Sequence, residues 1–171
     1  NKKVHARDEV VILGDLSLGN GKETNEILCR LKGRLYLIRG NHDERYLRDK
    51  DFDVSRFEWV KDYTEIHDNK RKIVLMHYPV FCYNGQFRRG ADGTPMTYML
   101  HGHIHKTEDQ VLMDKFCAET RATMRKSAHQ ETAQPVPCQM INCFCMYSDY
   151  TPLTLEEWVE CEQRRRNKAD R

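Results

Sequence analysis

Five polar side chains stand just beyond short apolar runs, and each is of a type that can bind a metal ion. Asp15 follows Val10 to Leu13 and a glycine, Asn41 follows Leu35 to Ile38, His77 ends the run that begins at Lys72, and His103 and His105 follow Thr97 to Leu100. A carboxylate, an amide oxygen and imidazoles make the mixed oxygen and nitrogen donor set that Mn, Fe, Zn or Ni accepts. An ion so held acts as a Lewis acid and lowers the pKa of bound water. Each residue also has a plain structural reading: Asp15 as a cap, Asn41 as a turn residue, His77 as a satisfied core histidine. Those readings would have to coincide at four separate strand ends, whereas one metal centre accounts for all of them.

The elements that must position these groups follow from hydrophobic patterning. Val10 to Leu13 is wholly apolar and stops at Gly14, as a buried strand does. Residues 22 to 32 put Ile27, Leu28 and Leu31 on one helical face and finish at Gly33. A second strand, Leu35 to Ile38, completes a strand-helix-strand unit, so the strand ends carrying Asp15 and Asn41 should be neighbours. Tyr63 to His67 and Lys72 to His77 flank Asp68-Asn69-Lys70-Arg71, which predicts a hairpin. A long loop over 78 to 95 is punctuated by Pro79, Gly85, Gly90, Gly93 and Pro95, and Thr97 to Leu100 is a further strand. Residues 107 to 127 read as a helix, 129 to 137 as a linker, and Cys138 to Tyr147 as a buried strand or strand pair. Thr154 and Glu157 make a capping box ahead of a last helix bearing Leu155, Trp158, Val159 and Cys161. The Arg164-Arg165-Arg166-Asn167-Lys168 run is expected to solvate that helix and complement its dipole. The whole reads as a single α/β domain over residues 1–171.

Asp15 in GDLS, Asn41 in GNHD, His77 in LMHYP and the GHIH of residues 102–105 resemble, in order and spacing, the calcineurin-like metallophosphoesterases. The SDYTPLTLEEWV segment is similar to the ending of small bacterial and phage members. The resemblance implies an α/β/β/α sandwich with two divalent metals, manganese first among the candidates, in the loops at the sheet ends. It implies that Asp15 bridges both ions, that Asn41, His77 and His103 complete the second, and that His105 binds the first. His42 is similar to the family's phosphate-contacting histidine that protonates the leaving oxygen, and Asp43 would hold its ring. The activity implied is hydrolysis of phosphate monoesters or diesters by metal-activated hydroxide attacking phosphorus in line. The family's opening Asp-x-His motif has no counterpart, since no Asp is followed two positions later by His. The expectation is therefore a domain lacking its first βα unit, with the second metal's ligands complete and only Asp15 and His105 at the first. The alternative expectation is a non-catalytic or weakly active remnant serving as a binding or scaffold domain.

Composition narrows the partners. With 28 Lys and Arg against 26 Asp and Glu the net charge is +2, so the basic footprint of a general nucleic-acid binder is absent and nucleic acid is expected only as substrate. No apolar run approaches the ~20 residues of a bilayer span. Seven cysteines without a repeating interval read as free, mostly buried thiols of a reducing cytoplasm. Cys138, Cys143 and Cys145 lack the paired spacing of a zinc site, and the last two are expected on one strand face. Arg88 and Arg89 in the long loop are the candidate substrate-binding pair, because arginine suits bidentate contact with oxyanions. His67 reads as a surface residue, and His101 receives no assignment.

Overall fold

The structure, a computed structural model, describes residues 3–126 and 131–169. The expected strand-helix-strand unit opens it: β1 (Glu9–Ile12), α1 (Gly21–Cys29) and β2 (Arg34–Ile38), with β2 parallel to β1. Asn20 starts the helix by accepting from the Glu23 amide at 3.0 Å, while Glu23 returns a contact to the Asn20 amide at 2.8 Å. That reciprocal pair satisfies two amides that the first helical turn would otherwise leave open. The helix ends before Leu31, short of its apolar pattern, and of the expected face Leu28 is buried while Ile27 is 36% exposed. The short α2 (Glu44–Leu47) follows, then β3 (Phe57–Lys61), which joins the far side of β2 in parallel and completes a sheet ordered β1, β2, β3.

The predicted hairpin is β4 (Tyr63–Asp68) and β5 (Arg71–Met76), turned at Asn69 and Lys70, both at positive φ. Such a two-residue turn matches the twist of the strands it joins. Next come β6 (Thr97–His101), α3 (Glu108–Ala122), a ribbon of β7 (Met124–Arg125) with β8 (Gln134–Pro135), and β9 (Gln139–Asn142). The second sheet is ordered β4, β5, β6, β9, with the last three strands parallel. The segment expected to be a linker is thus part ribbon and part core, since Val136 is buried; His129 and Gln130 lie outside the described residues. The expected strand over Cys138 to Tyr147 is only half a strand. Asn142 Oδ1 accepts from the Phe144 amide at 3.0 Å and turns the chain into a 3-10 turn over Cys145–Ser148, which leaves Cys145 exposed and off any shared face with Cys143.

The last helix, α4 (Leu155–Ala169), carries the predicted cap: the Thr154 amide donates to Glu157 at 2.8 Å and the Glu157 amide to Thr154 Oγ1 at 3.3 Å. Its arginines depart from a solvated run. Arg164 stays exposed beside Glu160, but Arg165 and Arg166 turn inward onto Glu162, which is 6% exposed, and Arg165 also grips Asp114 of α3.

Three apolar layers hold these parts. Between the sheets, Val11, Leu13, Ile38 and Trp59 meet Ile73, Leu75, Tyr98, Leu100 and Ile141, closed by Leu155, Trp158 and Val159 of α4. Outside the first sheet, Leu35, Leu37 and Phe57 pack on Leu28 and Tyr46. Outside the second, Val74, Met99 and Met140 pack on Met113 and Cys117 of α3. Alternation along each strand sends successive side chains to opposite layers, and the result is the helix-sheet-sheet-helix order expected. Among the described residues no helix is long and apolar enough to cross a membrane. All seven cysteines are free; only Cys117 and Cys138 are fully buried and Cys29, Cys82 and Cys145 are exposed, so burial is less general than the composition suggested.

Candidate metal centre

Loops after β1, β2, β5 and β6 meet at one end of the sheets. Leaving β1, the chain turns through Gly14 at φ +85° and Asp15 at φ +54°. A Cβ on Gly14 would collide with His77 Nδ1 and stand 2.7 Å from the Gly40 amide, so only glycine permits this approach. Asp43 then ties the first two loops together. Its buried carboxylate accepts from the amides of Asp15 and Leu16, each at 2.9 Å, from the Gly40 amide at 2.7 Å and from the Tyr46 hydroxyl at 2.9 Å. Burial, reinforced by Asp43, pushes the Tyr46 hydroxyl well above its ordinary pKa and keeps it a donor. Asp43 was expected to hold the His42 ring; it forms no hydrogen bond to that ring among the described residues, because its lone pairs are engaged by the loops.

His77 leaves β5 and is 1% exposed. Its Nδ1 lies 2.7 Å from the Leu13 carbonyl, which can only accept, so Nδ1 carries the proton and Nε2 presents a lone pair. That Nε2 faces Asp15 Oδ2 at 3.3 Å and Asn41 Oδ1 at 3.1 Å. Asp15 is oriented through its other oxygen, which accepts from the His42 amide at 2.9 Å. Asn41 Oδ1 also lies 2.9 Å from His103 Nδ1. His103, at φ +61°, sets its ring against those of His77 and Tyr78 at 5.2 and 4.6 Å. Its pKa is lowered by desolvation first and then by the charge of His77, which favours the neutral form that can ligate. Asp15, His77 and His103 offer ligand atoms within 4.8 Å of one another. Carboxylate and imidazole ligand atoms converging this closely fit a cation, and with Asn41 they are the donor set expected at the second metal.

His105, expected at the first metal, is outside the group of Asp15, His77 and His103, and its ring stacks on Phe144 at 4.7 Å and 18°. The arginine expectation comes out differently. Arg88 and Arg89 stand next to the start of β6, where Arg88 O accepts from the Met96 amide, whereas the histidine loop follows the end of that strand, roughly 15 Å away. A parallel crossover must return the chain to the opposite end of the sheet before the next strand begins, so these arginines are carried off. Arg89 donates to Gly93 O at 3.0 Å and Pro135 O at 3.1 Å and serves as a loop staple.

Some positioning residues escaped the sequence reading. Asn142 donates to Ile104 O and to Gln110, both at 2.7 Å, and so pins the GHIH loop from beneath. The available signal was one amide at the end of an apolar run. His101 is wholly buried, with Nδ1 donating to Gly102 O at 2.9 Å and Nε2 unpartnered; burial lowers its pKa to about 4, so the ring stays neutral. Arg45 and Arg48 join Leu18, Asn41, His42 and Glu44 around an open cavity of about 520 Å³ beside the cluster.

Comparison with known proteins bears on this geometry. The protein of unknown function AQ665 from Aquifex aeolicus has a solved structure that superposes on 93% of this chain and 78% of its own, with a TM-score of 0.52 at 20% identity, a likeness of fold. Uncharacterized protein MJ1445 of Methanocaldococcus jannaschii is 32% identical over 107 residues, 61% of this chain and 48% of its own length, so the chain spans about half of that curated relative. The family model described as the calcineurin-like phosphoesterase superfamily domain matches residues 2–119. That match takes in all four converging loops and every donor of the cluster, and the chain belongs to the calcineurin-like phosphoesterase superfamily.

Proposed function

We propose that this protein hydrolyses phosphate esters, monoester or diester, using a divalent metal held by Asp15, Asn41, His77 and His103. The reading rests on one observation above all: His77 Nε2, on the side of the ring away from the Leu13 carbonyl that accepts from Nδ1, faces oxygens of Asp15 and Asn41. One carboxylate and three neutral donors leave a dication with net positive charge, which attracts rather than repels a phosphate. Mixed oxygen and nitrogen donors suit Mn, Fe, Zn or Ni, and manganese is our first choice. Once bound, the ion would polarise a phosphoryl oxygen and acidify water.

The remaining work belongs to the chain itself. His42 is exposed and borders the cavity, where it is placed to act as general acid toward the leaving oxygen. Arg45 and Arg48 bring guanidinium groups to the same cavity for the non-bridging oxygens. Asp43 keeps the Asp15 and Asn41 loops in register, and Asn142 does so for the His103 loop. Seven free thiols support a cytoplasmic setting. A second reading, a weakly active or non-catalytic binding or scaffold domain, draws on His105, which stacks on Phe144 and leaves Asp15 alone among the proposed first-metal ligands in the cluster.

The test is hydrolysis of bis(4-nitrophenyl) phosphate by dialysed protein with manganese restored. Nitrophenolate release that requires the metal, is lost with chelator and disappears in His77→Ala is the expected result. Stoichiometric metal binding without turnover on aryl monoesters or diesters would favour the scaffold reading.

A further inference from the structure

Another cavity, of about 400 Å³, opens at the end of the second sheet away from the metal centre. Lys72 lies near the start of β5 and His77 follows its end, so the two sites stand about 16 Å apart along that strand. The hairpin supplies one wall: His67 and Lys72, which face each other across β4 and β5, and Lys70 from the turn. The loop after His77 supplies the other, with Phe87, Arg88 and Arg89, and Met96 joins them just before β6. No lining residue is acidic, in a chain whose net charge is only +2.

We infer that this cavity binds a nucleoside diphosphate or triphosphate. The charges are the first reason. Lys72 is neutralised by Glu65, a carboxylate that Asn84 and Tyr63 also hold. Lys70 and Arg88 are exposed and have neither an ion pair nor a side-chain hydrogen bond among the described residues. Neighbouring carboxylates are engaged elsewhere, Asp68 with Arg71 and Asp92 with Thr94. Arg89 is fixed by carbonyls alone, through two bonds to Pro135 O and one to Gly93 O. A carbonyl orients a guanidinium without cancelling its charge, and of its five N–H donors one remains on each terminal nitrogen. Lys70, Arg88 and Arg89 therefore repel one another until an anion lies between them. A chain of phosphates brings several negative oxygens at once, which arginine meets in bidentate fashion.

Phe87 sets the organic part of the ligand. It is 40% exposed on the cavity wall, and the Arg125 guanidinium lies over its ring at 3.8 Å. An aromatic ring beside arginine is a surface on which a nucleobase stacks. The cavity has the size of a small-molecule site. The near-neutral chain offers no basic track for a polynucleotide backbone, which favours a single nucleotide over a strand. The arginine pair singled out for oxyanions is thus assigned an oxyanion, but not the one that reacts.

Isothermal titration calorimetry on the full chain, dialysed free of metal, tests this with the α,β-methylene analogue of ADP as probe. Because the cavity contains none of the metal donors, the result stands whether or not the chain hydrolyses phosphate esters. One equivalent should bind. The double variant Lys70→Ala/Arg88→Ala should weaken binding at least about tenfold, with urea unfolding unchanged because both side chains are exposed. Phe87→Leu should cost about tenfold for the analogue and leave pyrophosphate binding as it was. No saturable binding up to millimolar analogue would overturn the inference, as would an affinity that the double variant leaves unchanged. Pyrophosphate binding as tightly as the analogue would remove the nucleoside from the assignment. A single-stranded oligonucleotide that displaces the analogue at lower nucleotide concentration would overturn it in favour of nucleic acid.

Discussion

One carbonyl decides what His77 can do. With Leu13 O accepting from Nδ1–H at 2.7 Å, Nε2 is the ring atom turned toward Asp15 and Asn41, where a cation between them would meet its lone pair. His42 differs: its ring is exposed and has no side-chain hydrogen bond among the described residues. His42→Ala should therefore lower turnover by ~10²–10⁴-fold for alkyl esters, less for nitrophenyl esters, with metal content unchanged. Rates measured against leaving-group pKa, with metal analysis alongside, check this; equal losses for all leaving groups would make His42 a binding residue. Away from the site, Glu65 offers a test of local electrostatics. Its hydrogen bonds from Lys72, Tyr63 and Asn84 pull its carboxyl down to about 2. A folded value below the unfolded ~4.3 means the stabilisation is present above that pH and lost as pH falls toward 2. Glu65→Gln should cost up to ~1 kcal/mol in urea unfolding at pH 6 and little near pH 2.5. An equal cost at both pH values would remove the charge from the explanation.

Elements whose signals are local were legible before any coordinates. The run Val10 to Leu13, the hairpin around Asn69-Lys70 and the Thr154/Glu157 cap all depend on neighbours a few residues apart. β3 was not legible, because Phe57-Glu58-Trp59-Val60-Lys61 is a short edge strand with exposed charges at Glu58 and Lys61 that pairs only with β2 among the described strands. The end of β9 was misplaced because the Asn142 side chain, not an apolar break, turns the chain. The site shows the same division. Asp15, Asn41, His77 and His103 stood out as polar residues at strand ends, but the position of Arg88 depends on which end of the sheet a crossover reaches. The role of Asp43 was hidden for a related reason: its partners are amides, which every sequence contains. Asp43→Ala should leave three loop amides unpaired and cost ~3–5 kcal/mol in urea unfolding, with metal affinity lost as well. Were Asp43 only an orienting group for His42, the variant would keep its stability and its metal and lose turnover alone.

For the molecule as a whole, the three apolar layers owe nothing to the metal, which sits on the loops at one end. Chelator should remove the ion without unfolding the chain. Saturating manganese, at about 100 times its Kd, should add ~2.7 kcal/mol by mass action and raise Tm by at least about 5 °C, a shift that His77→Ala should abolish. A scaffold stabilised from within and a site grafted on its loops are also why fold and site could be read separately. The claim on which the rest depends is that Asp15, Asn41, His77 and His103 surround one divalent cation. Anomalous diffraction from crystals soaked in manganese tests it most directly. The account predicts a strong peak between Asp15 Oδ2, Asn41 Oδ1, His77 Nε2 and the His103 ring, absent from His77→Ala crystals; no peak there, or one that survives the substitution undiminished, would contradict it.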